Sequence, residues 1–191
     1  MTPEHFTSVA LDKSYRLMNH GPTVLVSARH AGVSNVMAAA WACVLDFGQT
    51  PKVSVVLDKA TRTRELIEGS GRFALQLPTK AMAALTVQLG TDSARDVPDK
   101  LSKHGVQTFC APNSETPLVS GCVGWLECKL VPEPHNQQTY DLFIGEVIAA
   151  WADARVFHDG RWHFDADHDA LRTIHHIAGG QFFATGDSVE G

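Results

Sequence analysis

The chain has little of what would mark it at a glance. Among 191 residues there are only four cysteines, at positions 43, 110, 122 and 128, and no C-x-x-C pair. A disulfide scaffold or a thiolate zinc knuckle is therefore excluded, and the thiols read as reduced, in a cytoplasmic protein. Charged residues are sparse at 19%, and the balance of 16 basic against 21 acidic side chains leaves a net charge of −5 with no basic stripe. Nucleic acid and anionic membranes are poor partners for such a surface. The opening stretch Met1 to Gly21 has no apolar leader core, and the longest apolar run, Val36 to Leu45, is too short to span a bilayer. Neither G-x-x-x-x-G-K-[ST] nor a G-x-G-x-x-G after a strand occurs, so the P-loop and the dinucleotide Rossmann fingerprint are absent.

What is present is β-rich. Thr23 to Ala28, Lys52 to Leu57, and Phe73 to Leu77 before Pro78 are short runs of strand character. Leu118 to Leu130, with Gly121 and Gly124 marking a bend, and Leu142 to Trp151 are longer ones. Asp159-Gly160 between two apolar-polar triplets signals a two-residue hairpin. Helices are fewer: Thr63 to Glu68 stopping at Gly69, Lys80 to Leu89 stopping at Gly90, and a turn or two from Asp99 before Gly105. Asn35 to Leu45 is alanine-rich and reads as a buried helix on propensity alone. With 44% hydrophobic residues and no internal linker, the sequence predicts one domain spanning residues 1–191, mainly β, as a barrel or sandwich under a few covering helices.

Four features could carry chemistry. His158, His163 and His168 cluster with acidic residues before His175-His176, but their spacing lacks the helical i, i+4 pairing of a zinc site, and a polar surface hairpin accounts for them. Cys43 lies in an apolar run, where a thiol is deactivated, and no base neighbours the other cysteines. Asp58-Lys59-Ala60-Thr61-Arg62-Thr63, between a strand and a helix, places hydroxyls, a guanidinium and N–H groups where a phosphate could sit; an ordinary helix cap with solvated charges reads equally well. Gly179-Gly180-Gln181-Phe182-Phe183 either closes over a flat ligand or anchors a tail.

In order, Ser34-Asn35-Val36-Met37-Ala38-Ala39-Ala40-Trp41, the strand, loop and helix from Val55 to Ile67, Tyr140-Asp141-Leu142-Phe143-Ile144-Gly145-Glu146-Val147 and Gly179 to Phe183 resemble the flavin reductase-like family of FMN-binding split barrels, in its flavoredoxin-type branch. The match spans roughly residues 10 to 187. The resemblance implies a Greek-key split β-barrel and an extended, not helical, Asn35-to-Trp41 segment beside the flavin. It implies FMN as cofactor, NAD(P)H as electron donor, a homodimer sharing the site, and a flavin or acceptor protein downstream. Thr61, Arg62 and Thr63 would meet the phosphate. Asn35 and the backbone of Val36, Met37, Ala38 and Ala39 would line the ring and ribityl chain, with Trp41 and Phe182 as aromatic cover. Lys100 matches the family lysine that reaches the flavin. No side chain is assigned as catalytic and no metal is expected, because hydride transfer to a flavin needs neither.

The chain departs from the family pattern in three places. Tyr140-Asp141 stands where many relatives have Asp-His, so Tyr140 is the remaining donor there. Ala39 replaces a common serine or threonine, and Gln76 the usual asparagine of its strand. The rival readings are a carrier reduced only by a partner protein, a binding module without redox turnover, and a metal protein built on the histidine-rich C-terminal third.

Overall fold

The first strand shows how the chain is layered. In the computed structural model, which describes residues 7–18 and 20–191, β1 (Val24–His30) is buried along five consecutive residues. Both of its faces are covered. Val24, Val26 and Ala28 point toward Phe73, Phe143 and Leu66, while Leu25 points the other way toward Met82 and Leu89. A strand covered on both faces needs apolar residues at both parities, hence Val-Leu-Val.

After β1 come β2 (Val33–Ala39), β3 (Ala42–Val44), β4 (Lys52–Val56), α1 (Arg62–Ser70), β5 (Arg72–Leu77), α2 (Ala83–Thr91) and α3 (Lys100–Lys103). Then follow β6 (Thr108–Phe109), β7 (Leu118–Val119), β8 (Gly124–Val131), α4 (Pro134–Tyr140), β9 (Leu142–Ala152), β10 (Phe157–His158), β11 (Arg161–Trp162), β12 (Ile174–Ala178) and β13 (Gln181–Ala184). Seven strands form one antiparallel sheet in the order β2-β1-β5-β8-β9-β4-β3. The outermost strands β2 and β3 are joined by Ala40 and Trp41 alone, so the two edges lie within roughly 11 Å of one another. A sheet whose opposite edges are that close has curled into a split barrel. The Trp41 carbonyl accepts from the Val56 N–H at 3.0 Å, holding the linker against β4.

The predicted strands fall within one or two residues of β1, β4, β5 and β9, and the Asp159-Gly160 hairpin is β10–β11, with both residues at positive φ. The Leu118-to-Leu130 run is interrupted: Gly121 at φ 92° separates β7 from β8. The alanine-rich segment is extended, as the family resemblance implies and propensity does not. All seven residues of β2 pair with β1, from Val33 opposite His30 to Ala39 opposite Val24.

Two glycines do not end helices. Gly69 lies inside α1, where a Cβ would stand 2.5 Å from the His30 ring, and the left-handed terminus is Gly71. Gly90 lies inside α2, where it lets the helix approach Ala38 closely. Helix α4, absent from the sequence reading, starts at Pro134 and ends at Asp141 in left-handed conformation.

Gln76 has a structural task. Wholly buried, it donates to Ser27 Oγ at 2.8 Å and accepts the Val119 N–H, tying β1, β5 and β7 together.

Candidate functional site

Among the described residues strand β2 is an edge, pairing only with β1, so its outer side presents peptide groups that no described strand takes up. Its side chains alternate. Val36 and Ala38 face α2, and Met37 and Ala39 pack with the barrel core on the side of α1. Three recesses converge along this edge. They share Met37 and Thr61 on the α1 side, Gly90 and Thr91 on the α2 side, and Ala38 to Ala40 in the middle. Together they form one groove running from the first turn of α1, past β2, to the β12–β13 hairpin.

At the α1 end the chain leaves β4 through an Asx turn, in which Asp58 accepts the Ala60 N–H at 2.7 Å. The Thr61 hydroxyl donates to the Asp58 carbonyl at 2.8 Å and does not cap the helix, so α1 begins without a side-chain cap. Thr63 is fully buried and accepts from Asn35 Nδ2 at 2.9 Å. The Asn35 carbonyl oxygen, also buried, has no hydrogen-bond partner among the described residues. Arg62 and Arg95 each pair with one oxygen of Glu65. These cations, Arg62 first, hold the Glu65 carboxyl below the usual carboxylate range.

Lys100 also borders this end, but its ammonium is held by the carbonyls of Leu89 (2.9 Å) and Asp92 (2.7 Å) at the C-terminus of α2. Burial lowers its pKa to about 8.

At the other end, the β12–β13 turn is Gly179-Gly180, both at positive φ, and it sets His176 opposite Phe182 with their rings edge to face at 5.5 Å. The His176 N–H donates to Thr23 Oγ at 2.9 Å, anchoring the hairpin to the start of β1. Trp41 is half exposed at the mouth and meets Tyr15 edge to face at 6.0 Å. Thr86, on α2, lines the recess of His176 and Phe182 with a buried hydroxyl that has no hydrogen-bond partner among the described residues.

Nearly all the predicted residues therefore converge. Asn35, Met37, Thr61, Arg62, Thr63 and Lys100 gather at one end, and Ala38, Ala39, Trp41 and Phe182 at the other. The Val36 side chain is sealed under α2, which leaves only its backbone for the groove. Tyr140 is not brought in: its ring is 62% exposed and packs on His135, and its neighbour Asp141 lines the recess instead. The reason is the left-handed turn at Asp141, which points consecutive side chains apart.

Sequence reasoning missed Arg95, Thr86 and His176. The turn-rich charged segment Asp92-Ser93-Ala94-Arg95-Asp96 just ahead of Lys100 was the one available signal for Arg95. Away from the groove, His158, Asp159 and His163 bring their ligand atoms within 4.8 Å of one another on the β10–β11 hairpin, where the two imidazoles stack at 3.8 Å.

Comparison with known proteins fits this geometry. A family profile described as "Flavin reductase like domain" matches residues 15–166. The uncharacterized protein YddH of Escherichia coli (strain K12) is 42% identical over 187 residues, covering 96% of this chain and 97% of its own. The crystal structure of an FMN-binding domain of a flavin reductases-like enzyme from Shewanella baltica OS155 superposes with a TM-score of 0.87 at 56% identity, covering 97% of this chain and 96% of that one. The flavoredoxin of Desulfovibrio vulgaris (Miyazaki F) has the same fold, with a TM-score of 0.76 at 22% identity over 100% of this chain and 96% of its own.

Proposed function

Because the chain belongs to the flavin reductase-like family, we propose that it is an FMN-binding oxidoreductase that passes electrons from NAD(P)H to flavin or to a downstream acceptor. The observation that carries the reading is the groove along β2. It offers an uncapped helix N-terminus flanked by Arg62 and Arg95, then a buried acceptor without a partner at Asn35, then a free strand edge and aromatic cover. That sequence of features suits a molecule with an anionic end, a hydroxylated linker and a flat ring carrying donors and acceptors. FMN has those parts, and the residues present fit it. When bound, it supplies a ring that takes a hydride and releases electrons.

The chain's share of the work is positioning. The first turn of α1 and its arginines would neutralise the phosphate, and Thr63 would hold Asn35 ready for the linker. Peptide groups of Ala38 and Ala39 would address the ring edge as an added strand does. Trp41, His176 and Phe182 would exclude water on the ring side, while Tyr15 and Arg16 border the opening through which a nicotinamide donor would approach.

A homodimer is part of the proposal. Val44, Leu45 and Phe47 are exposed just beyond Trp41, and an apolar rim at the mouth of the site suits cover by a second copy. The cytoplasm is the proposed location, since all four cysteines are free thiols.

The test is the visible spectrum of the purified protein before and after adding FMN, followed by anaerobic addition of NADH and NADPH. Flavin bands at one equivalent per chain that bleach with either nucleotide are the expected result. FMN bound but reduced only when a partner protein is supplied would make the chain a carrier instead. No FMN bound after addition would overturn the redox reading and leave the barrel.

A further inference from the structure

The β10–β11 hairpin carries a cluster that the flavin groove does not use. Its turn, Asp159-Gly160, has both residues at positive φ, the form that holds two short strands in tight register. His158 stands opposite Arg161, and the His163 N–H donates to the Val156 carbonyl at 2.8 Å, so the ladder continues past β11. In that register His158 and His163 are diagonal neighbours on one face. The other face is apolar. Phe157 meets Trp162 edge to face at 4.9 Å, and Trp162 stacks with Phe164 at 5.4 Å. A Cβ on Gly124 would stand 3.4 Å from the Trp162 ring, so this face sits against β8. The N–H groups of Val156 and Phe157 both donate to the Asp153 carbonyl, at 3.1 and 2.9 Å. The hairpin is thus fixed to the barrel and holds its imidazoles outward.

On the outward face the two rings lie parallel within 2°, with centroids 3.8 Å apart. One ligand atom from each of His158, Asp159 and His163 lies within 4.8 Å of the others. The hydrogen bonds assign the nitrogens. His163 Nε2 is 3.2 Å from the His158 carbonyl, which can only accept, so in the neutral ring Nδ1 keeps its lone pair. A ring N–H held by a carbonyl is the usual way a metal-binding imidazole is oriented. His158 Nδ1 donates to Asp159 Oδ2 at 3.1 Å, and a metal ion can replace a proton shared in this way. The spacing along the chain lacks the helical pairing of a zinc motif; the convergence comes from cross-strand register instead.

We propose that His158, Asp159 and His163 form a binding site for a transition-metal dication of the zinc, copper or nickel class, separate from the flavin groove. Two imidazole nitrogens and a carboxylate suit these ions, whereas Mg²⁺ and Ca²⁺ take oxygen ligands. The ion takes the place of the proton between His158 and Asp159, which is released to solvent. Both rings turn out of the stack to aim a nitrogen at an ion about 2.1 Å away, and half of the His158 side chain is exposed, which gives it room. His163 also lines a recess of about 660 Å³ with Asp165, His175 and Thr185, through which water can complete the coordination shell. Strand β12 gives His175 to this recess and His176 to the groove, so the two sites lie on opposite sides of one hairpin. The metal site does not depend on the flavin reading.

The experiment titrates tag-free protein, stripped with EDTA and dialysed, with ZnCl₂ and MgCl₂ in a calorimeter. Wild type is compared with His163→Gln, Asp159→Asn and His135→Gln. Asparagine tolerates the left-handed conformation of Asp159, so the turn persists. His135, which packs on Tyr140 in α4, is the control imidazole. Wild type is expected to bind one Zn²⁺ per chain and to ignore Mg²⁺. His163→Gln and Asp159→Asn should each weaken Zn²⁺ by about 10- to 100-fold or more, since even an outer-shell partner is worth that much. His135→Gln should bind as wild type does, and all variants should melt as wild type. Electron paramagnetic resonance of the Cu²⁺-loaded wild type should show two coupled nitrogens, a readout that needs no variant. No Zn²⁺ bound by wild type, or wild-type affinity in His163→Gln, would overturn the site. A copper spectrum unchanged in His163→Gln would put the ion on other histidines and overturn it too, and equal binding of Mg²⁺ would overturn the assigned class.

Discussion

Asn35 and Thr63 meet across 28 residues of sequence in a buried hydrogen bond of 2.9 Å, from the Asn35 amide to the Thr63 hydroxyl. This contact ties the edge strand β2 to the first turn of α1 and leaves the Asn35 oxygen buried without a hydrogen-bond partner among the described residues. Thr63→Ala would strand the amide as well as the oxygen. We expect a stability loss of about 1–3 kcal/mol in urea, and FMN affinity weaker by about 1–2 kcal/mol. Thr63→Ser should keep both. Unchanged affinity in Thr63→Ala would remove this pair from the site.

Arg64, like Lys100, is a buried cation, with 5% of its side chain exposed. It donates to the carbonyls of Leu57 (3.1 Å) and Gln137 (2.8 Å), pairs with Asp141 and Glu68, and lies over the Phe143 ring. Arg64→Met leaves these acceptors without their donor and should cost about 3–5 kcal/mol. Arg64→Lys should recover little, since one ammonium cannot span α4, β9 and α1 together. Urea midpoints decide, and a loss under about 1 kcal/mol would mean that water replaces the guanidinium.

Gly145 in β9 lies under an aromatic ring: a Cβ there would stand 2.4 Å from Phe73 Cζ and 2.9 Å from Cys128 Cβ. Gly145→Ala should therefore destabilise by about 1–3 kcal/mol through overpacking. Adding Phe73→Leu should return part of that loss. Purely additive losses in the double variant would count against ring contact as the cause.

Lys100 gives a pH signature. Its folded value of about 8 lies below the ordinary 10.5 because burial disfavours the charged form. Between those values the unfolded chain holds the extra proton, so this group's contribution to stability rises with pH, by at most about 1.4 kcal/mol per unit. The stability difference between wild type and Lys100→Met should thus shift toward wild type from pH 8 to pH 10. A flat difference in denaturation across that range would show a solvated ammonium.

Trp41 is half exposed and held edge-on by Tyr15. Trp41→Ala should cost under about 1 kcal/mol of stability, because little is buried. The absorption bands of bound FMN should nevertheless move. Bands identical to wild type would place the indole away from the ring.

Much of this architecture was legible. β-branched runs mark β1 and β4, an apolar run ending at Pro78 marks β5, and Asp159-Gly160 marks a hairpin because both residues tolerate positive φ. Helix α4 was not legible, since Pro134-His135-Asn136-Gln137-Gln138 has no apolar face. Its carbonyls at Gln137 and Gln138 are held by Arg64 and Lys59, distant cations that no local pattern announces. Gly69 and Gly90 looked like helix stops, yet both serve close packing inside helices, a use that depends on what lies across the interface. Tyr140 looked like a site residue by its place in a motif, and a left-handed neighbour turned it to solvent.

By itself the sequence determined the β-rich class, the places of β1, β4, β5 and β9, the Asp159-Gly160 hairpin and, through four motifs in order, the family. All but the family follow from residues within a few positions of one another, where propensity, periodicity and backbone sterics act. Tertiary structure alone decided that the alanine-rich segment is an edge strand, because pairing along all of β1 outweighs a helix preference of tenths of a kcal/mol per residue. It also decided that Asn35, Thr63, Arg95, His176 and Phe182 share one groove. Burial of apolar surface is non-directional, so a strand pattern states that a face will be covered but not by what. Which distant side chains meet at the open edge is set by the curl of the sheet and the path of the loops that join it.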